Sequence, residues 1–186
     1  MRKEEIRRRV KAQKSLLSMK ERSEAAAKVF DALEHSAAFM LADNILLYHS
    51  LPDELSTREF IDRWHNKKRF FLPRVNGVNL EVLPYDQSTL RLGAFHIEEP
   101  SGDELTPIEN IEMVVVPAIA YDRRGNRVGR GKGFYDRLLA DTKATKVGVA
   151  YDFQLVDDIE AEPHDVKVDV VITESRVITV RHENRF

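Results

Sequence analysis

Short apolar runs recur along this chain and alternate with segments of helical pattern, and this alternation is what most limits its possible folds. The runs at Asn44–Tyr48, Met113–Val116, Lys146–Ala150 and Val170–Thr173 each predict a buried strand. Val177–Val180 is predicted to pair with the last of them in a hairpin. Two further strands are expected at Arg69–Leu72, ending at Pro73, and at Leu80–Leu83, whereas residues 85–110 predict irregular structure.

Helical patterns fill much of the chain between these runs. Ser18-Met-Lys-Glu21 fits a capping box and divides the N-terminal region into predicted helices at about residues 2–17 and 19–35. Ser56-Thr-Arg-Glu59 fits a second capping box, which predicts a helix that continues to Trp64. A further helix is expected from Phe134 to Asp141.

Strands interleaved with helices imply an α/β fold, layered α/β/α, with a largely parallel central sheet and the N-terminal helices packed on it. We expect one domain over residues 1–186, because no Pro-, Gly- or Ser-rich linker divides the chain. Ligands of such sheets tend to bind outside the carboxyl ends of the strands, so that edge is where a site is expected.

Composition excludes several classes of function. The formal net charge of -2 argues against a dedicated nucleic-acid binder, and no apolar stretch approaches the ~20 residues that span a membrane. There is no cysteine, which removes disulfides, thiolate metal sites and cysteine nucleophiles. The N-terminus shows no secretory signal, so we expect a cytoplasmic protein, and one that acts as a monomer.

The run from Arg127 to Asp136 is the strongest candidate for binding chemistry. Glycines at 129, 131 and 133 let backbone amides approach an anion, and the helix predicted to follow adds a favourable dipole. Arg127, Arg130 and Lys132 supply cationic donors between them. The spacing fits neither a Walker A loop nor the dinucleotide fingerprint, so the pattern alone predicts only a phosphate-handling loop.

The segment Pro117–Asp136 closely resembles the signature of the 5-formyltetrahydrofolate cyclo-ligase (5,10-methenyltetrahydrofolate synthetase) family. Weaker elements of that family follow in the expected order, and the resemblance covers nearly the whole chain. These elements are Lys3–Arg7, Pro52–Thr57, Phe71–Arg74, Glu99–Pro100 and His164–Asp169.

The resemblance implies an ATP- and magnesium-dependent cyclisation of 5-formyltetrahydrofolate to 5,10-methenyltetrahydrofolate, with release of ADP and phosphate. It implies a site whose residues fall into three groups. ATP would be bound by Lys3, Arg7 and the run Arg127, Val128, Gly129, Arg130, Gly131, Lys132, Gly133, Phe134 and Tyr135. The folate would be bound by His49, Glu54 and residues 130–134, and Mg²⁺ would be held by Asp136 and Asp165. Arg130 and Lys132 are the expected catalytic cations, because phosphoryl transfer depends on charge neutralisation.

Helical periodicity gives an independent view of the first group. Ile6 and Val10 lie on one stripe of the first predicted helix, and Lys3, Arg7 and Lys14 form a row beside it, whereas Arg8 points away. Periodicity alone favours a solvated basic face for this row, and the resemblance favours phosphate binding.

Two alternatives stay open on the residues alone. An α/β sheet with a glycine-rich loop also suits a phosphosugar isomerase or CoA-transferase-like enzyme, and a non-catalytic nucleotide-binding module would carry the same loop. One departure from the family pattern is Phe134, where the family usually has tyrosine; a hydroxyl is lost there, and stacking on the substrate ring is kept.

Overall fold

The computed structural model of the protein describes residues 2–86, 90–92 and 98–181. The helices are α1 (Lys3–Lys14), α2 (Met19–Glu34), α3 (Ala37–Leu41), α4 (Arg58–Trp64) and α5 (Phe134–Leu139). The strands are β1 (Asn44–Leu46), β2 (Arg69–Asn76), β3 (Asn79–Pro84), β4 (Leu90–Leu92), β5 (Glu98–Pro100), β6 (Met113–Val116), β7 (Ala120–Tyr121), β8 (Arg127–Val128), β9 (Thr145–Val149), β10 (Val170–Ile172) and β11 (Val177–Thr179).

A seven-stranded sheet in the order β11-β10-β9-β6-β1-β2-β3 forms the centre of the fold. The five strands from β10 to β2 in that order are mutually parallel, and β11 and β3 each add an antiparallel edge. The largely parallel sheet and the hairpin between β10 and β11 are thus confirmed. The direction of strand addition reverses between β1 and β6, which makes the crevice between them the switch point of the sheet.

Both faces of the sheet are buried, as parallel sheets require. In β6, Met113 and Val115 face a core shared with α2, α3 and α4, whereas Val114 and Val116 face a second core that includes Leu139 of α5. This alternation explains why β6 reads as a continuous apolar run in the sequence, and it confirms the α/β/α layers.

Helix α1 packs on a different surface from the one predicted. Its apolar stripe, Ile6 and Val10, packs with Ala120 and Val128 of the small β7–β8 ribbon and with Ile159. Helix α2 does lie on the central sheet, through Val29, Phe30 and Leu33. The apolar stripe of α1 predicts burial correctly, but a stripe does not specify which partner buries it.

The two predicted capping boxes have different outcomes. At α2 the Ser18 side chain accepts a hydrogen bond from the Glu21 amide, and the Glu21 carboxylate accepts from the Ser18 amide. The box at Ser56 is wrong, because α4 begins at Arg58 after Thr57. The Thr57 hydroxyl donates instead to the Tyr48 carbonyl, 2.8 Å away, which ties α4 to the segment after β1.

Strand β2 continues through Pro73 to Asn76, whereas the sequence predicts its end at the proline. The Pro73 nitrogen faces the side of β1, and β1 has already ended at that level, so no ladder hydrogen bond is lost. Two residues on, the Val75 amide on the same side donates to the Glu99 carboxylate at 2.6 Å.

The region predicted to be irregular contains regular structure. Strands β4 and β5 pair antiparallel, and Ile108–Asn110 forms a 3-10 turn; residues 87–89 and 93–97 lie outside the described part of the chain. The sequence pattern also does not predict helix α3 as a separate element, because its five residues are too few to show a helical period. None of the helices in the described ranges is long and apolar enough to cross a membrane.

Candidate active site

A cavity of about 1500 Å³ opens at the carboxyl edge of the sheet. The segments that leave β1 and β6 line its floor, through Tyr48 and His49 on one side and Pro117 to Ile119 on the other. These are the strands that flank the switch point, so the cavity lies where ligands of such folds bind. The β2–β3 hairpin adds an apolar wall through Val75 and Leu80.

The glycine-rich run forms one side of this cavity, between β8 and α5. Gly131 and Gly133 have φ angles of 93° and 69°, a region that side chains disfavour, so the chain turns on both sides of Lys132 in a way that favours glycine. Lys132 is exposed in the cavity, as a residue that meets a ligand must be.

Val128 is the one member of the predicted ATP-binding run whose side chain turns away from the cavity. It is fully buried against α1, and its carbonyl accepts a hydrogen bond from the Ile119 amide at 2.8 Å. Its part is therefore to anchor the start of the loop.

Arg127 is held firmly at the base of the loop. Its Nε donates to the Pro117 carbonyl at 3.0 Å, its guanidinium carbon lies 5.2 Å from the centre of the Tyr135 ring, and Nη1 lies 3.9 Å from the Asp136 carboxylate. Burial raises the pKa of the Tyr135 phenol, so this group is a neutral hydrogen-bonding partner at physiological pH.

Helix α1 brings two predicted cations to the cavity. Lys3 Nζ lies 2.6 Å from Asp165 Oδ2, and Arg7 Nε donates to the Gly129 carbonyl at 2.9 Å. Both residues line the cavity, whereas Arg8 does not and is exposed. The orientation inferred from the helical period is confirmed, with Ile6 on the packed side fixing it.

The loop after β1 carries the predicted folate carboxylate, Glu54. This side chain lines the cavity and accepts a hydrogen bond from the Leu51 amide at 2.9 Å. Arg130 lies between two carboxylates of this loop, 3.4 Å from Asp53 Oδ1 and 3.9 Å from Glu54 Oε2. His49 also lines the cavity. The structure thus joins this loop to the glycine-rich loop.

Lys14 belongs to the same cluster, and sequence reasoning did not include it in the site. It is buried, and its ammonium lies 3.7 Å from Asp53 Oδ2. Burial lowers the pKa of Lys14, and burial raises the pKa of Glu54, so desolvation disfavours the charged form of each. The available signal was the row that Lys14 shares with Lys3 and Arg7.

The segment that carries Asp165 is fixed by a buried carboxylate outside the cavity. Asp122 accepts hydrogen bonds from the amides of Arg124 and Asn126, each at 2.9 Å, and from the Ile159 amide at 3.1 Å. These bonds tie the β7–β8 ribbon to the chain that leads into residues 160–165, which close one side of the cavity.

Asp136 and Asp165, the predicted metal ligands, are brought close together. Asp136 Oδ1 accepts from the amide of Val166, the residue after Asp165. Burial alone would raise the pKa of Asp165, but the Glu162 amide and the Lys3 ammonium outweigh it and lower that pKa. The Asp165 carboxylate is therefore suited to be ionised at neutral pH.

These two carboxylates fit a Mg²⁺ site that is completed by substrate phosphates better than a metal site built only from protein side chains. Within the described residues no three His, Cys, Asp or Glu side chains form a metal-binding group, which excludes a ready-made cage there and leaves His164 without a set of partners for zinc. Mg²⁺ is commonly held by one or two carboxylates together with substrate phosphates. The pair, facing a cationic loop, matches that arrangement.

Comparison with known proteins identifies the family of this chain. The sequence profile of the 5-formyltetrahydrofolate cyclo-ligase family matches residues 1–174. The chain belongs to this family. The 5-formyltetrahydrofolate cyclo-ligase of Escherichia coli K12 is 34% identical over 148 residues, which cover 74% of this chain and 81% of that protein.

Solved structures support the cyclo-ligase fold independently. The 5,10-methenyltetrahydrofolate synthetase of Aquifex aeolicus superposes with a TM-score of 0.88 at 33% identity, covering 99% of this chain and 95% of that one. The synthetase from Mycoplasma pneumoniae gives a TM-score of 0.73 at 25% identity, covering 92% and 98%. The cavity therefore lies in a cyclo-ligase fold that is present over nearly its full length.

Proposed function

We propose that this chain catalyses the ATP-driven cyclisation of 5-formyltetrahydrofolate to 5,10-methenyltetrahydrofolate, with release of ADP and phosphate. One observation carries the proposal beyond family membership. Three separate segments bring the cations Lys3, Arg7, Arg130 and Lys132 and the carboxylate Glu54 to a single cavity. A cationic loop and a carboxylate-bearing loop facing each other suit a nucleotide on one side and a pterin on the other.

The first step is phosphorylation of the formyl group. The formyl oxygen attacks the γ-phosphorus of ATP, the bond to the β-phosphate oxygen breaks, and ADP leaves. Such a transfer places negative charge on the phosphoryl oxygens, and catalysis consists mainly of positioning and charge neutralisation. Arg130 and Lys132, exposed at the loop, are suited to supply that charge.

The second step is ring closure. Phosphorylation turns a poor leaving group into phosphate and makes the formyl carbon an electrophilic iminium. Nitrogen N10 of the folate attacks this carbon, loses its proton, and expels the phosphate with the former formyl oxygen. The protein must hold N10 next to the carbon; Glu54 and His49 on the β1 side, with Phe134 stacking on the other, would fix the folate there.

We also propose that Asp136 and Asp165 hold Mg²⁺ together with the nucleotide. When bound, the ion would neutralise phosphate charge. In the free protein the Lys3 ammonium forms an ion pair with Asp165. Lys3 could therefore interact with both this carboxylate and a nearby phosphate.

Absorbance of the methenyl product tests the proposal directly. Purified protein with 5-formyltetrahydrofolate, ATP and Mg²⁺ should form methenyltetrahydrofolate and one phosphate per turnover. Omission of ATP, or chelation of Mg²⁺, should abolish both signals. Absence of product in the complete mixture, at protein concentrations that bind the substrates, would refute the proposed activity.

A further inference from the structure

The guanidinium of Arg137 connects two parts of the cavity wall that are far apart in sequence. Its Nε donates to the Val78 carbonyl at 2.7 Å, and Nη2 donates to that same carbonyl and to the Lys132 carbonyl, at 2.8 Å for the latter. Val78 is in the turn between β2 and β3, and Lys132 is in the glycine-rich loop. One planar side chain therefore joins the hairpin to the loop.

Lys132 needs such an anchor because glycines flank it on both sides. Gly131 and Gly133 adopt left-handed φ angles, and glycine carries the largest conformational freedom of any residue. Ordering each residue of a free loop costs backbone conformational entropy. The Arg137 bond to the Lys132 carbonyl fixes the peptide at the centre of this flexible stretch.

The local structure is shaped around this arginine. A Cβ on Gly133 would lie 2.9 Å from Arg137 Nη1, so the guanidinium occupies the space that a side chain there would need. Phe134 covers the guanidinium, with its ring centre 5.7 Å from the central carbon. Both acceptors are backbone carbonyls. The contact therefore depends on the backbone shape of the hairpin and the loop, and not on the identity of the side chains there.

We propose that Arg137 is a positioning residue: by anchoring the Lys132 carbonyl to the β2–β3 turn, it sets the glycine-rich loop in its ligand-binding shape before any ligand arrives. The participation of Lys132 in turnover rests on the proposed function. The anchoring of the loop does not, since it concerns the free protein.

Limited trypsin digestion of the free protein tests the anchoring, because Arg130 and Lys132 are themselves cleavage sites. In Arg137→Ala, cleavage after these two residues, mapped by mass spectrometry, should accelerate at least tenfold. Arg63→Ala is the matched control: Arg63 is also an exposed helical arginine, paired with Glu34 away from the cavity, and its loss should leave cleavage in the loop unchanged. A wild-type rate of loop cleavage in Arg137→Ala overturns the proposal.

Two further readouts separate positioning from general destabilisation. The melting temperature of Arg137→Ala should stay close to that of Arg63→Ala, and millimolar guanidinium should restore part of the loop protection by filling the vacated space. Equal acceleration at cleavage sites throughout the chain, or protection that guanidinium does not restore, contradicts anchoring by the guanidinium. If Arg137→Ala does not fold, Arg137→Gln, which keeps one amide donor, should show the same loop exposure to a smaller degree.

Turnover then links the anchor to the reaction. We expect kcat to fall about tenfold or more in Arg137→Ala, with the same guanidinium concentration restoring part of it. A wild-type protein without activity would refute the proposed function and leave the proteolysis result standing. If the wild type is active but neither Arg137 variant shows faster cleavage in the loop, the anchoring role is refuted and the proposed function stands.

Discussion

At the scale of single residues, the two exposed cations of the glycine-rich loop provide the sharpest test of the chemistry. Arg130→Ala or Lys132→Ala should lower kcat at least a hundredfold, since removing one donor that stabilises transition-state charge typically costs ~10²–10³ in rate. Steady-state kinetics measures this, and Arg8→Ala, an exposed change on α1 outside the cavity, is the control. Melting temperatures should match wild type. Near-normal turnover in both loop variants would contradict their assignment.

Glu54 gives a second prediction at this scale, because its buried charge reduces stability. Burial raises the pKa of Glu54, so the folded state binds its proton more tightly than the unfolded state, and stability is lost as pH rises through the folded pKa. Glu54→Gln keeps an oxygen to accept from the Leu51 amide and removes the charge. At pH 7 its Tm should rise by about 2–4 °C, the shift that about 1 kcal/mol gives in a chain of this size.

The advantage of Glu54→Gln should disappear below pH 4, where both states of the wild type are protonated. Thermal unfolding across pH 4–8 measures it, with Glu24→Gln on the exposed face of α2 as control. The same variant should bind the folate more weakly, which would show as a raised KM. A Tm that falls at pH 7 would mean that the attraction of Glu54 to the Arg130 and Lys14 charges outweighs its burial.

At the scale of elements, the sequence predicts what depends on local pattern and misses what depends on partners. Strand β6 is predicted to the residue because both its faces are buried and all four positions are apolar. The capping box at Ser18 forms because both of its hydrogen bonds join residues three positions apart, so the motif is wholly local. The box at Ser56 does not form, because α4 begins after Thr57 and the Thr57 hydroxyl donates to the Tyr48 carbonyl in the segment after β1. That contact lies outside the four-residue pattern of a capping box.

The candidate site shows the same division. The motif residues converge on one cavity, with Val128 buried beside it as the anchor of the loop. The family signature is a local run of sequence, so Arg130, Lys132 and Asp136 can be proposed as site residues from the sequence alone. Lys14 contacts Asp53, which is 39 positions away in the sequence, and Arg137 contacts Val78, which is 59 positions away. Both contacts exist only after the sheet has assembled.

At the scale of the whole molecule, the cavity joins parts of the chain that are far apart in sequence, so ligands should stabilise the fold as a unit. A ligand that binds only the folded state raises stability by RT ln(1 + [L]/Kd), about 2.7 kcal/mol at a hundredfold excess over Kd. For a chain of this size that corresponds to a Tm increase of roughly 5–10 °C. MgATP and 5-formyltetrahydrofolate should each produce such a shift separately.

Stabilisation by MgATP without any shift from the folate would favour a nucleotide-binding module over a synthetase. The variants then report which wall each ligand uses. Arg7→Ala should reduce the shift from MgATP and leave that from the folate, because Arg7 contacts the glycine-rich side through the Gly129 carbonyl. Glu54→Gln should do the reverse. Loss of both shifts in each variant would mean that the two walls form a single binding surface, and the division of the cavity into a nucleotide side and a folate side would be wrong.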